Sequence, residues 1–199
     1  MKQVLSALAL ATASTLAVPA LAQTVGDTGF FTANASGALE VPPNASPGTS
    51  MIKLDVGGRS MSIDMSFNNL LSSTTGAHIH CCTTGAFTGT APIAVPFDDF
   101  PTGVTSGSYA NTFALGSMTT YDPAFLAASG GTAQGAASAL LTAIAANEAY
   151  VNIHSTQYPN GEIRGWLVAA PVPEPGEWAM LGLGVGGLMW MGRRRRNDV

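Results

Sequence analysis

Alternating residues on either side of Gly57-Gly58 restrict the fold of this chain more than any other feature of its sequence. In both arms every second residue is apolar, and the residues between are polar or charged. The apolar set is Ile52, Leu54, Val56, Met61, Ile63, Met65 and Phe67. Because successive side chains of a strand point to opposite faces, this period of two predicts two strands that each bury one face. The two glycines accept positive φ and predict a tight hairpin turn.

The rest of the middle region adds strands and a short helical insertion. β-branched and aromatic residues between turn residues predict five further strands. They cover residues 29–35, 76–81, 108–115, 149–155 and 162–168. The turn Tyr158-Pro159-Asn160-Gly161 should join the last two as a hairpin. Asp122 should cap a helix over 123–128, and Thr132 a second helix over 133–146. We therefore predict a mainly β fold, an antiparallel, Greek-key-like β-sandwich or a partly open barrel.

The N-terminus has the three parts of a secretory signal peptide. Lys2 supplies the positive charge at the start, and residues 4–18 form an uncharged apolar stretch. Ala20-Leu21-Ala22 then places small residues at the positions that a signal peptidase recognises. Residues 1–22 should therefore be removed, leaving Gln23 as the new N-terminus. This pattern predicts export, with an N-terminal signal helix in the precursor.

The C-terminus predicts a linker followed by a short membrane helix. Three prolines make residues 171–177 an extended linker. Residues 178–192 are uncharged, and four arginines follow them at 193–196. As a helix, these apolar residues would rise about 22 Å, which is short of the roughly 30 Å hydrocarbon core of a bilayer. Since arginines stay on the cytoplasmic side, residues 178–199 should leave the middle domain, 23–170, on the outer side.

This tail resembles the PEP-CTERM sorting signal of exported bacterial proteins. The residues that carry the resemblance are Pro173, Glu174, Pro175, Arg193, Arg194, Arg195 and Arg196. The resemblance implies cutting by an exosortase-type sorting machinery at the inner membrane. The protein would first stand on the periplasmic side of that membrane and then reach the cell surface or the extracellular space. A plain C-terminal anchor is the alternative, and it predicts the same side without processing.

The charge of the middle domain argues against nucleic acid as a partner. Residues 23–170 hold three basic and nine acidic side chains, which gives a net charge of −6. A domain this acidic has no basic surface for nucleic acid. The sequence also lacks a phosphate-binding loop, a Gly-x-Ser-x-Gly motif and a His-Glu-x-x-His motif. These observations favour a binding or structural role over a recognisable catalytic one.

The three histidines of the chain are its candidate metal ligands. His78 and His80 are two residues apart in one predicted strand, and His154 lies in another. If Ile79 and Ile153 point into the core, all three imidazoles project from the opposite face of the sheet. Imidazole binds copper and zinc, and it should bind them more tightly as pH rises through about 6.5. Surface histidines bonded to turns are the alternative.

Cys81 and Cys82 follow His80 directly and are the only cysteines of the chain. A disulfide, free thiols and metal ligation are all open for an adjacent pair in an oxidising compartment. If the strand stays regular, Cys82 shares the face of the histidines and is the expected fourth ligand. Glu162 and Arg164 also share one strand face, where the favoured interpretation is a solvated strand edge, with or without a mutual ion pair.

Several segments of the middle domain resemble the CHRD domain, first described in the extracellular protein chordin. These segments are Phe31-Thr32-Ala33, Glu40-Val41-Pro42-Pro43, Gly76-Ala77-His78-Ile79-His80, Tyr150-Val151-Asn152-Ile153-His154 and Gly161-Glu162-Ile163-Arg164-Gly165. The resemblance spans about Phe30 to Val168 and implies an extracellular β-sandwich module without an established activity. A weaker likeness to the Cu/Zn superoxide dismutase fold would make His78, His80 and His154 copper ligands. That family needs further histidines, which this sequence lacks, so no dismutase activity is predicted.

Three functions are compatible with these features. The first is a non-catalytic interaction module of the envelope or extracellular matrix, with envelope polysaccharide as a candidate partner. The second is an envelope protein that binds copper or zinc through the His/Cys group. The third is a copper-dependent oxidoreductase. The first two are compatible with each other, and no residue is assigned a catalytic role.

Overall fold

A computed structural model of the chain describes residues 28–170. Within them lie nine strands and two α-helices. The strands are β1 (Thr28–Ser36), β2 (Thr49–Gly57), β3 (Ser60–Asn68), β4 (Thr74–Cys81), β5 (Ile93–Pro96), β6 (Gly107–Ala114), β7 (Ala149–Ser155), β8 (Ile163–Trp166) and β9 (Val168–Ala169). The helices are α1 (Pro123–Ala128) and α2 (Ala133–Ala145). Two short 3-10 turns lie at Gly37–Leu39 and Met118–Thr120.

All nine strands belong to one antiparallel sheet. Its order is β5-β4-β7-β8-β1-β2-β3-β6, and the short β9 pairs with β1 beside this path. The sheet curls into a half-barrel around the core, so the mainly β, antiparallel prediction is confirmed. Of the two architectures that the sequence left open, a partly open barrel describes this single curled sheet.

The predicted hairpin is present, but its two turn residues are Gly58 and Arg59 instead of Gly57 and Gly58, because Gly57 pairs with Ser60 at the end of the strands. In the β2–β3 pair, Leu54 stands opposite Ile63 and Ile52 stands opposite Met65. The alternating apolar side chains of both arms are at most 3% exposed. Gly58 has φ +56°, the left-handed conformation that the turn requires. The period of two therefore placed every side chain of this hairpin on its correct face.

The two helices begin at the caps that the sequence predicts, and they pack against the core. The carboxylate of Asp122 accepts hydrogen bonds from the backbone of the first turn of α1, at 2.9 Å from Ala124 N. Thr132 Oγ1 accepts from Gly135 N at 3.1 Å at the start of α2. The inner face of α2 joins the same hydrophobic core as the sheet. Its buried members are Ala133, Ala136, Leu140, Ala143 and Ile144.

Two strand predictions differ from the structure. β5 was not predicted, because Ile93–Pro96 is only four residues long and contains proline. It pairs with β4 alone at the edge of the sheet, where a missing N–H is tolerated. The last predicted strand is divided into β8 and β9, which lie on either side of Leu167.

The signal peptide, the linker and the sorting helix predicted at the two ends lie outside the described residues. Among residues 28–170, no helix is long and apolar enough to cross a membrane.

Candidate metal centre

β4 and β7 bring the three histidines of the chain together on one side of the sheet. The two strands pair antiparallel, with His78 and His80 on β4 and His154 on β7. Ile79 and Ile153 point the other way and are fully buried in the core. Because side chains alternate along a strand, the three imidazoles project from the opposite face. The structure thus gathers the residues that the sequence selected as candidate ligands.

The three rings surround a common space. Ring centroids are 4.9 Å apart for His78 and His154, and 5.7 Å apart for each of the other two pairs. One nitrogen of each ring lies within 4.8 Å of the other two. A shared ion at about 2.0–2.1 Å from each nitrogen would bring these atoms to roughly 3–3.5 Å from one another. The present spacing is wider, so the rings would have to move closer together to share an ion.

Hydrogen bonds fix which nitrogen of two rings carries the proton. His80 Nδ1 lies 2.9 Å from the carbonyl oxygen of Ala91, and His154 Nδ1 lies 2.9 Å from that of Pro159. A carbonyl oxygen only accepts, so in both rings Nδ1 is the donor and carries the hydrogen. The lone pair of each neutral ring is therefore on Nε2. Both Nε2 atoms are buried and have no hydrogen-bond partner in residues 28–170.

The environment keeps these rings neutral. Burial, followed by repulsion from the other two histidines, lowers the pKa of His78 to about 4. Burial also lowers the pKa of His80 to about 4, against the raising effect of its bond to Ala91. The pKa of His154 is lowered by burial as well, with the bond to Pro159 opposing the shift. Neutral imidazole is the form that binds a metal ion.

Tyr150 holds His80 in place by stacking on its ring. The two rings stack with centroids 4.9 Å apart and planes 4° apart. The Tyr150 hydroxyl also contacts the backbone of Ala91, accepting from its N–H at 3.2 Å. Arg164 places its guanidinium carbon 4.6 Å from the centre of the Tyr150 ring, and the edge-on Trp166 ring completes the packing. This arrangement fixes both the ring of His80 and its carbonyl partner.

A buried ion pair lies beneath these aromatic rings. Arg164 Nε donates to Glu40 Oε2 at 3.1 Å, and the side chains are 1% and 4% exposed. Arg164 Nη1 also donates to the carbonyl of Gly89, at 2.8 Å, in the loop between β4 and β5. Asn152 Nδ2 donates to the other oxygen of Glu40 at 3.0 Å. Desolvation raises the pKa of Glu40, while the charge of Arg164 opposes that shift. The polar network therefore extends from the ion pair to the strand that carries His154.

The prediction that Glu162 and Arg164 lie on a solvated strand edge is wrong. Both side chains are at most 1% exposed, because β8 lies inside the sheet between β7 and β1. Arg164 pairs with Glu40 instead of Glu162. Glu162 accepts hydrogen bonds from Ser46 Oγ, from Leu71 N and from Ser155 Oγ. Glu162 therefore joins two loops to the end of β7 and is not part of the histidine group.

Cys82 does not complete the ligand set. Its sulfur is bonded to that of Cys81 in a disulfide between adjacent residues. β4 ends at Cys81, so the alternation that would turn Cys82 toward the histidines stops one residue too early. Cys82 is exposed, and its sulfur lies 3.8 Å from the carbonyl of Ala139 in α2. The disulfide is one of the alternatives that the sequence left open, and it removes both thiols as ligands.

Three neutral nitrogen donors without a carboxylate or thiolate suit only some ions. Within residues 28–170, the group of facing ligand atoms consists of His78, His80 and His154 alone. Imidazole suits copper and zinc, whereas magnesium and calcium require oxygen ligands. Three protein ligands leave a further coordination position for water or another small ligand. The arrangement can therefore hold a copper or zinc ion with a coordination position that the protein does not fill.

Sequence reasoning missed the residues that support the histidines, namely Glu40, Tyr150 and Asn152. Glu40 and Asn152 do lie in segments that carry the family resemblance, and this was the available signal. Their partners are far away along the chain, 112 residues for the Asn152–Glu40 bond and 124 for the Arg164–Glu40 bond. The sorting residues 173–175 and 193–196 lie outside the described residues.

Comparison with known proteins gives one match. The family model of the CHRD domain matches residues 31–167 of this chain. That range contains the three histidines, the ion pair and the disulfide. No curated protein and no solved structure matches the chain.

Proposed function

Because the chain belongs to the CHRD domain family, we propose that it is an exported envelope protein whose domain binds a copper or zinc ion through His78, His80 and His154. The observation that carries the proposal is that the ring nitrogens face one another in a buried space. Hydrogen bonds to Ala91 and Pro159 already set two of the rings in the metal-binding tautomer.

The burial of these nitrogens supports a ligand over ordinary surface histidines. His80 Nε2 and His154 Nε2 are both buried, and neither has a hydrogen-bond partner within the described chain. A buried polar atom without a partner destabilises a protein, by about 1–3 kcal/mol for each such group. An ion would bind the free lone pairs. The acceptors on the far side of the rings are those that metal-binding histidines normally use.

The place of the protein in the cell forms the second part of the proposal. CHRD domains belong to extracellular and envelope proteins, in agreement with the signal peptide and sorting tail that the sequence predicts. Export would expose the site to metal ions outside the cytoplasm. Display of a non-catalytic module, with envelope polysaccharide as a candidate partner, is compatible with metal binding by the same domain. Copper-dependent oxidoreduction is the alternative, and turnover of superoxide or peroxide by the copper-loaded protein tests it.

Metal titration tests the proposed site. The full chain, purified in detergent with a tag that contains no histidine, is freed of metal and titrated with Cu(I), Cu(II) and Zn(II). We expect one equivalent of copper or zinc per chain, and loss of that equivalent in His78→Ala and in His154→Ala. Since the chain has only three histidines, no other imidazole can replace them.

Ser50→Ala is the matched control. Ser50 Oγ is another buried atom without a hydrogen-bond partner among residues 28–170, but it lies on β2, away from the histidines. This variant should bind metal like the wild type. Equal weak binding by the wild type and by both histidine variants would disprove the proposal.

A further inference from the structure

Asn152 occupies a special position beside the histidines. It lies on β7 directly opposite His78 on β4, and it is two residues from His154 on the same strand face. Its side chain is only 2% exposed. The amide nitrogen donates to Glu40, but Oδ1 is buried without a hydrogen-bond partner in the part of the chain that the structure describes. A buried amide oxygen of this kind requires a donor.

The orientation of the Asn152 amide is fixed by its surroundings. Arg164 holds Glu40 through Oε2, so Oε1 remains as an acceptor and attracts the NH2 end of Asn152. The opposite orientation would place the Asn152 oxygen against the Glu40 carboxylate, where two acceptors would repel each other. Oδ1 must therefore point away from Glu40.

Gly161 provides the space that this amide occupies. A Cβ at Gly161 would lie 2.5 Å from Asn152 Nδ2, 2.6 Å from Asn152 Oδ1 and 2.7 Å from Glu40 Oε1. Gly161 also has φ +126°, a conformation that L side chains rarely adopt. The turn after β7 can therefore cover the Asn152–Glu40 pair only because residue 161 is glycine.

His78 lacks the partner that the other two rings have. His80 Nδ1 donates to a carbonyl oxygen, and so does His154 Nδ1. His78 Nδ1 is buried and has no partner within residues 28–170. The two buried atoms without partners, His78 Nδ1 and Asn152 Oδ1, thus belong to residues that stand opposite each other on paired strands.

We propose that Asn152 is a positioning residue whose Oδ1 accepts the hydrogen of His78 Nδ1 and so presents His78 Nε2 to the ion. A rotation of the His78 ring would form this bond, with or without a metal ion. All three histidines would then use one arrangement, in which Nδ1–H donates to an oxygen and Nε2 binds the metal. This metal-directed role rests on the proposed function, whereas the hydrogen bond itself can form without metal.

The buried ion pair acquires a role through Asn152. Arg164 orients Glu40, Glu40 orients the amide of Asn152, and Asn152 would orient the third ligand. Hydrogen bonds already join segments 40–43, 150–154 and 161–165, which are far apart in the sequence. The proposed bond would add segment 76–80 to this network.

Nitrogen NMR tests the bond directly. The metal-free full chain is labelled with 15N-histidine in detergent, and long-range 15N–1H spectra identify the protonated nitrogen of each ring. We expect His78 to be the Nδ1–H tautomer in the wild type and to lose that preference in Asn152→Leu. A His78 that carries its hydrogen on Nε2 in the wild type would overturn the proposal, whether or not the variant folds.

Zinc affinity tests the positioning role separately. Asn152→Leu should weaken Zn(II) binding by about 10- to 100-fold, the usual effect of removing a residue that orients a metal ligand. Asn68→Leu, at an exposed site on β3, should bind zinc like the wild type. A folded Asn152→Leu variant with unchanged affinity would overturn the positioning role. If the expected tautomer is found but the wild type binds no metal, the proposed function fails, and the metal-directed role of Asn152 fails with it.

Discussion

His80 and Tyr150 stand opposite each other on paired strands and stack face to face, with ring planes 4° apart. The same two side chains meet at Ala91, whose carbonyl accepts the hydrogen of His80 Nδ1 and whose N–H donates to the Tyr150 hydroxyl. The position of the candidate ligand is therefore set by its neighbours and not by its own rotamer alone. Residues that touch no metal should consequently alter metal affinity.

Loss of the Tyr150 ring should weaken metal binding. Tyr150→Leu removes both the stacking on His80 and the contact with Ala91, so we expect zinc or copper affinity to fall at least about 10-fold. Tyr109→Leu is the matched control, because Tyr109 is also buried and stacks on Phe97, away from the histidines. Competition titrations against a chelator measure both variants. Equal affinity in the two would show that Tyr150 contributes only to stability.

The pH dependence of metal binding should differ from that of solvated histidine. Because burial lowers the pKa of His78 and of His80 to about 4, protons compete with metal only well below the ordinary value of 6.5. Affinity should therefore persist below pH 6.5 and be lost as pH drops through about 4, where His78 and His80 take up protons. This expectation replaces the dependence near 6.5 that the sequence alone suggested. A titration midpoint near 6.5 in a chelator competition series would contradict it.

Replacing either residue of the buried ion pair should strongly destabilise the fold. Removing one partner leaves the other charge buried, so Glu40→Leu or Arg164→Met should each destabilise the fold by about 3–5 kcal/mol. The double variant should lose less than the two single variants together, because it leaves no unpaired charge. Urea unfolding followed by circular dichroism measures all three. Additive losses would show that the two side chains do not act as a pair.

Phe67 is the aromatic residue that the predicted hairpin places in the core. This ring is 2% exposed and stacks on Phe100 at 5.3 Å, so Phe67→Ala should destabilise the fold by about 3–5 kcal/mol. Phe30, which is 60% exposed on β1, provides the control, and Phe30→Ala should change stability little. Chemical denaturation compares the two. Equal losses would argue against the register of the sheet.

Processing at both ends can be measured by mass spectrometry. In the native host, the mature protein should begin at or near Gln23 and should lack Arg193–Arg196, because a signal peptidase and an exosortase would remove the two ends. Intact-mass measurement of the isolated protein checks both cleavages. A host without an exosortase should retain the arginine tail and serves as the comparison. Dominance of a form with Met1 or the arginines in the native host would contradict the prediction.

Local rules were sufficient for much of the fold. The alternation from Ile52 to Phe67 determined the faces of β2 and β3, since the period of a strand depends only on neighbouring residues. The same is true of the helix caps Asp122 and Thr132, whose hydrogen bonds reach no further than three residues. It also holds for the strand face of each histidine, which follows from alternation once Ile79 and Ile153 point inward.

The residues that surround the histidines could not be predicted from such local rules. Alternation predicts a wet face on β7, yet Tyr150 and Asn152 on that face are buried by loops that come from elsewhere in the chain. Alternation also does not show that β4 ends at Cys81, where the disulfide to Cys82 removes that residue as a ligand.

The sequence by itself determined the strand periodicity, the helix caps and the face of its own strand from which each histidine projects, because each depends on residues close together in the chain. Only the tertiary structure paired β4 with β7 and so brought the three histidines together. Only the tertiary structure decided that Glu40 pairs with Arg164 and that Asn152 lies between this pair and His78. Asn152 and Arg164 are each more than 100 residues from Glu40 in the sequence. Their pairing depends on strand order and loop packing. These are set by the whole domain, because the entropy lost on ordering the chain must be offset by burial throughout the fold.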